Sequence, residues 1–374
     1  MSVALIEPFD RWFLSLSKGS GTARRNDCYT KCGGFDKLNH RNARLLDSPL
    51  FYATPSAGTP RNAPETMTIQ QFKSQTIKSL ENGKIPSPSA ALDVSILLEH
   101  CLKQNKTWIL LHSSEELNTE QFAWLTEAVA ARSTGLPVAY ITGHKEFYGL
   151  DFIVSPAVLI PKPDTEILVE NAIDRIKDKM YAHPESILMV CDMCTGSGCI
   201  GLSVLRSLLD DSDLDRSMIP HFTLVDISPD ALEIARINAK RLFSEDEQER
   251  IRFVQSNLFD DVPWDFDAVL TNPPYIPADM VDELLKDGRR EPRLALDGDV
   301  SVFGMDFDSS DGLELIRGLI PQAYERLVYN GIFLMETGEY NAEEACTLSK
   351  KAGFRNTKII CDLEGQLRDV YGVK

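Results

Sequence analysis

Apolar positions recur in two regimes along this chain. From residue 67 to about 134 they keep helical spacing. Ile69, Phe72, Ile77 and Leu80 form one stripe, and Ala91, Val94, Leu97, Leu98 and Cys101 a second. Phe122, Leu125, Val129 and Ala130 form a third, behind a cap at Asn118 or Thr119. From Ile187 onward, short unbroken apolar runs alternate with helical stripes. Ile187–Asp192, His221–Val225, Ile251–Gln255, Phe266–Leu270 and Ile332–Met335 read as strands, the continuous run at Ile187 as one buried on both faces. Helices are expected through Leu202, Leu205 and Leu208, after Ser228-Pro229, over Gly312–Tyr329 and over Ala342–Ala352. Two more strands, Thr357–Cys361 and Leu367–Tyr371, complete a seven-stranded, doubly wound α/β sheet behind a small N-terminal helical domain. Between the regimes, Phe147-Tyr148-Gly149 and Phe152-Ile153-Val154 suggest a hairpin. The prolines of Ile160-Pro161-Lys162-Pro163-Asp164-Thr165-Glu166 force an extended path. Asp164 or Thr165 can then cap a helix carrying Ile167, Val169 and Ile173.

Composition divides the chain further. Residues 1–66 lack sustained periodicity and carry net +3, against −17 for all 374 residues and so −20 for the remainder. The segment reads as a disordered or dispensable extension, with Met67 as a second candidate start. Its five aspartates and glutamates before residue 50 count against the alternative of a mitochondrial transit peptide. The domain expectation is an extension at 1–66, helices at 67–134, a hairpin linker at 135–166 and the α/β domain at 167–374. An acidic core without a basic stripe argues against nucleic acid as main ligand. No apolar run approaches the ~18 residues of a membrane span. Eight scattered cysteines read as reduced thiols, and Cys28-x3-Cys32 lacks a second ligand pair for zinc, so no metal is expected. A cytoplasmic monomer is the resulting expectation.

The chemistry concentrates at predicted strand ends. The fourth strand runs into Asn272-Pro273-Pro274-Tyr275. Prolines lack N–H groups, so the strand must stop and the segment presents acceptors. The Asn272 oxygen and the Pro273 carbonyl can each accept one N–H of a planar NH2 group, with Tyr275 on its flat face. A plain strand-ending turn is the competing reading. The first strand runs into Cys194-Thr195-Gly196-Ser197-Gly198, and Gly201 completes a formal dinucleotide fingerprint. Asp226, next to Ile227, ends the second strand, where a carboxylate can accept ribose hydroxyls. It lies 28 residues after Gly198, beyond the ~20 usual for a nicotinamide site. S-adenosylmethionine has a ribose but no pyrophosphate. Its sulfonium and amino-acid ends suit Asp192 and the glycine loop, and its adenine suits Asn257-Leu258. Cys191, Cys194 and Cys199 read as small residues at a tight turn, not nucleophiles.

These segments together resemble class I S-adenosylmethionine-dependent methyltransferases, and more finely the HemK/PrmC type that methylates release factor glutamines. The likeness extends over about residues 67–374, through Leu92-Asp93, Gly143, Phe147, the Ile160–Glu166 segment, Glu291-Pro292, Ala295-Leu296, Asp362-Leu363, Gly365 and Arg368. Leu258 stands where some members carry an aromatic. The resemblance implies transfer of a methyl to the N5 amide of the glutamine in a Gly-Gly-Gln loop of class I release factors. That loop would enter over Asn272–Tyr275, with Phe147 and the Pro161–Pro163 segment as walls and Asp279–Arg293 as a mobile charged loop. Three other readings stay open at this point: an adenine N6-methyltransferase sharing the Asn-Pro-Pro-Tyr motif, a nicotinamide dehydrogenase, and an inactive scaffold.

Overall fold

The computed structural model describes residues 67–83, 89–300 and 310–374. The expectations for residues 1–66, the Cys28/Cys32 spacing included, lie outside them. The helical part comprises α1 (Ile69–Glu81), α2 (Ala90–Leu102), α3 (Lys106–Leu111), α4 (Thr119–Arg132) and α5 (Val138–Thr142). Helix α1 starts at a capping box. The Thr68 hydroxyl accepts from the Gln71 amide at 3.2 Å, and the Gln71 side chain accepts from the Thr68 amide at 3.0 Å. Asn118 and Gln121 repeat this device at α4. Ala91 and Ala130 are exposed, and Ala90 and Ala128 take their places inside. The shift follows from buried Asp93, which accepts from Arg132 Nε at 2.7 Å and so turns its own side of α2 toward α4.

A hairpin follows, β1 (His144–Phe147) against antiparallel β2 (Leu150–Ile153). Tyr148 and Gly149 are its turn rather than strand residues. Both have positive φ, 51° and 73°, the backbone that matches strand twist in a two-residue hairpin.

Helix α6 (Glu166–Ala182) leads into the sheet. Its elements are β3 (Met189–Met193), α7 (Cys199–Asp210), β4 (His221–Asp226), α8 (Pro229–Leu242), α9 (Glu245–Gln248), β5 (Ile251–Gln255) and β6 (Phe266–Thr271). After these come α10 (Ala278–Leu284), α11 (Glu314–Arg326), β7 (Leu327–Glu336), α12 (Ala342–Ala352), β8 (Arg355–Cys361) and β9 (Leu367–Val373). Strand order is β5-β4-β3-β6-β7-β9-β8. The first five are parallel, and β9 runs antiparallel to both neighbours. Strand β7 starts earlier than the expected Ile332, because the preceding helix stops at Arg326. The pairing with β6 then skips from Phe266↔Leu327 to Ala268↔Ile332, and the extra residues include Asn330 at φ 61°.

Successive strand residues face opposite cores, as the pleat requires. Val190, Leu270 and Leu334 pack against α6, α7 and α8, while Cys191, Val269 and Phe333 pack against α11 and α12. The helical part closes its own core on Val154, Val158, Ile160 and Ala231. Among the described residues no helix is long and apolar enough to cross a membrane.

Candidate active site

The chain leaves β3 toward β4 and β5, then returns to β6 on the other side of β3. That reversal opens a crevice beyond the carboxyl ends of the strands. Register brings those ends level: Met193 pairs with Val225 and Thr271, and Thr271 with Met335. Cys194, Asp226, Asn272 and Glu336 therefore sit along one rim.

A cavity lies there. Its wall includes Cys194, Thr195, Gly196, Ser197, Asp226, Ile227, Asn257, Leu258, Asn272 and Pro274. Gly196 has φ +55°, and a Cβ built on it meets nothing within 4 Å. The loop is thus open on its cavity side. Its amide donates to Asp226 Oδ2 at 2.8 Å, while Asp226 Oδ1 accepts from the Ser228 amide at 2.9 Å. A carboxylate has about four acceptor sites, so these two bonds orient Asp226 and leave it acceptors for hydroxyl groups. Burial pushes its carboxyl up from the ordinary range. Cys194 and Leu258, both on the wall, hold left-handed backbone at φ 60° and 49°. Such strain in non-glycine residues collects at functional sites.

Asp192, Gly198, Pro273 and Tyr275 do not line this cavity. Asp192 is fully buried behind the glycine loop, where Oδ2 accepts from Thr195 Oγ1 at 2.6 Å and the Gly201 amide at 2.9 Å. A Cβ on Gly201 would fall 2.9 Å from that oxygen, so glycine is what lets α7 approach the carboxylate. Burial pushes Asp192 up to about 7, against those two hydrogen bonds. The same burial raises the Cys191, Cys194 and Cys199 thiols, Cys199 to about 12, so all three stay protonated and weakly nucleophilic at neutral pH.

The tetrapeptide is held from behind. Asn272 Nδ2 donates to Thr165 Oγ1 at 3.2 Å, and Tyr275 OH donates to Glu336 Oε1 at 3.2 Å. Burial pushes the Glu336 carboxyl up, while hydrogen bonding from Thr165 and Tyr275 and the charge of Arg368 oppose it. The Tyr275 carbonyl accepts from Asn341 Nδ2 at 3.0 Å and Tyr340 OH at 3.2 Å. Ile276 exchanges backbone hydrogen bonds of 2.9 Å with Leu296 and Gly298.

Three expectations about the walls need correction. Phe147 is 1% exposed and packs edge-on against Phe152, in the core shared with α6, because the hairpin buries its apolar side inward. Pro163 is exposed, since the chain enters a 3-10 turn at Pro163–Thr165; Pro161 and Thr165 reach the cavity instead. Thr165 precedes α6 without a side-chain capping bond. The Asp279–Arg293 stretch is not a loop throughout. It contains α10 and a further 3-10 turn, and ion pairs tie it together, among them Lys162–Glu291 at 2.6 Å. Pro292, Leu294 and Ala295 then complete the wall. Sequence reasoning missed Glu336 and the role of Thr165. Glu336 was within reach, because it directly follows the strand expected at Ile332–Met335 and so falls on the same rim.

The PrmC N-terminal domain model matches residues 74–143, and the methyltransferase small domain model matches residues 177–290. A release factor glutamine methyltransferase of Koribacter versatilis is 36% identical over 313 residues, covering 82% of this chain and 99% of that protein. One of Leptospira interrogans is 36% identical over 286 residues, covering 76% and 91%. One of Moorella thermoacetica is 33% identical over 304 residues, covering 81% and 97%.

Proposed function

We infer that this chain, which belongs to the release factor glutamine methyltransferase family, methylates the side-chain amide nitrogen of a release factor glutamine with S-adenosylmethionine as donor. Membership sets aside the adenine, dehydrogenase and scaffold readings. We further propose that the glutamine is that of a Gly-Gly-Gln loop, and that the enzyme acts as a cytoplasmic monomer.

The residues present fit the donor. Asp226 keeps acceptors for ribose hydroxyls, the Gly196 backbone is open to a ligand, and Ser256, Asn257 and Leu258 offer a largely buried wall for adenine. When bound, S-adenosylmethionine supplies an electrophilic methyl. The protein's task is the nucleophile. An amide nitrogen is weak because its lone pair is delocalised into the carbonyl. Asn272 Oδ1, on the cavity wall, would accept one N–H of the substrate amide. The Pro273 carbonyl, off that wall, would take the other where the substrate loop enters beside the cavity. Together they would aim the nitrogen and stabilise positive charge growing on it. Tyr275, off the cavity wall with its hydroxyl anchored to Glu336, would hold the tetrapeptide in place behind the amide. The N-alkylated amide is a strong acid, so no dedicated base is assigned.

The observation that carries this reading is the hydrogen bond from Asn272 Nδ2 to Thr165, which leaves Oδ1 as the free end of that amide. Labelled cofactor offered to a release factor tests it, with mass spectrometry of the glutamine peptide. Asn272→Ala should lower methylation at least about 100-fold while cofactor affinity, by calorimetry, changes little. Parallel loss of both would mean that Asn272 supports the fold rather than the substrate.

A further inference from the structure

We propose that Thr165 sets which end of the Asn272 side chain faces the substrate, and thereby makes the site select glutamine over glutamate. The inference rests on the function proposed above and adds a specificity-determining residue to it. A side-chain amide is nearly symmetric in shape but opposite in hydrogen bonding at its two ends. Only the oxygen-forward orientation can accept an N–H from a substrate carboxamide. The nitrogen-forward orientation would instead donate to an acceptor, such as a carboxylate.

The structure contains a device that decides between them. Thr165 is 2% exposed and sits 107 residues from Asn272 in the chain, yet its hydroxyl lies 3.2 Å from Asn272 Nδ2. A hydroxyl has one proton to give. Glu336, itself 2% exposed, lies beside Thr165; Tyr275 takes its Oε1, while its Oε2 is buried with no hydrogen-bond partner and is an acceptor open to one more donor. A Thr165 proton turned toward that open oxygen leaves the Thr165 oxygen to accept from Asn272. Tyr275 OH donates to the same carboxylate from the other side. The polarity then runs one way: Asn272 donates to Thr165, and Thr165 faces the open acceptor of Glu336. Reversing Asn272 would set its oxygen against the Thr165 oxygen and leave the amide donors facing the cavity. Thr165 acts through Asn272 and is a positioning residue.

The test compares Thr165→Val, which keeps the shape and removes the hydroxyl, with Thr165→Ser, which restores it. Each full-length enzyme is assayed on a release-factor loop peptide carrying glutamine. The same peptide carrying glutamate is added as competitor. In the valine variant the ratio of glutamate-peptide Ki to glutamine-peptide KM should fall about tenfold or more, because Asn272 can then turn its donors to the carboxylate. Serine should restore the ratio, and cofactor affinity should stay near the wild-type value in both. If valine at this buried position unfolds the protein, Thr165→Ala is read in the same way. A ratio that stays constant while both constants weaken together would overturn the proposal, since that is what loose packing alone produces. Failure of the wild-type enzyme to methylate glutamine would instead overturn the function on which the proposal stands.

Discussion

Asp192 carries a carboxyl that folding has taken out of water, with one oxygen bonded to Thr195 and Gly201 and the other buried without a partner. Its titration moves from 3.8 to about 7. Between those values the folded protein binds the proton more tightly than the unfolded chain does, so this group makes stability fall as pH rises through about 4 to 7. Above that window the loss is complete. Asp192→Asn should flatten this slope, because asparagine keeps an oxygen for both donors and does not titrate. Urea midpoints of the two proteins from pH 4 to 8 should diverge in favour of the variant up to about 7 and then run parallel. Curves parallel throughout would show that Asp192 titrates in the folded protein as it does in the unfolded chain. Asp226, also raised, acts on Asp192 through its charge, so the difference between the two curves reports the two carboxyls together.

The element that matters most after the strands is the turn of irregular backbone clamping Asn272–Tyr275. Gly312 (φ +75°) packs so closely that a Cβ there would fall 2.2 Å from the Tyr275 carbonyl oxygen. This contact explains why α11 starts at Glu314 although the apolar pattern extends back to Gly312. Gly312→Ala should cost about 2–4 kcal/mol, from overpacking plus left-handed backbone, and should lower methylation by shifting the tetrapeptide. Gly143→Ala is the control: its φ is +76°, but nothing lies within 4 Å of the new Cβ. It should cost only about 1–2 kcal/mol and leave kcat unchanged. Urea denaturation and steady-state kinetics read both. Equal costs would mean that the Gly312 contact relaxes without effect.

At the scale of the molecule, the helical part and the sheet share buried surface through Val154, Val158, Ile160 and Ala231. Truncation to Met67 should leave methylation and cofactor affinity unchanged, since the matched regions begin at residue 74. Truncation to residue 135 should give an unstable or aggregating protein, because that apolar surface would face water. Circular dichroism melts and the methylation assay distinguish the two. A stable, active chain from residue 135 would show that the shared core is dispensable.

Sequence alone determined the α/β architecture and which segments end its strands. Apolar runs of strand length, a glycine turn and two prolines after an asparagine are local constraints on backbone, and they act wherever the chain goes. That is why Cys194–Gly198, Asp226 and Asn272–Tyr275 could be placed at strand ends before any fold was known. What tertiary structure decided were contacts between residues far apart in the chain. Asn272 meets Thr165, Tyr275 meets Glu336, and Lys162 meets Glu291 only because strand order and register bring them together. For the same reason, sequence misplaced Phe147 and Pro163: burial depends on what packs against a residue, and periodicity reports only its own side of the contact.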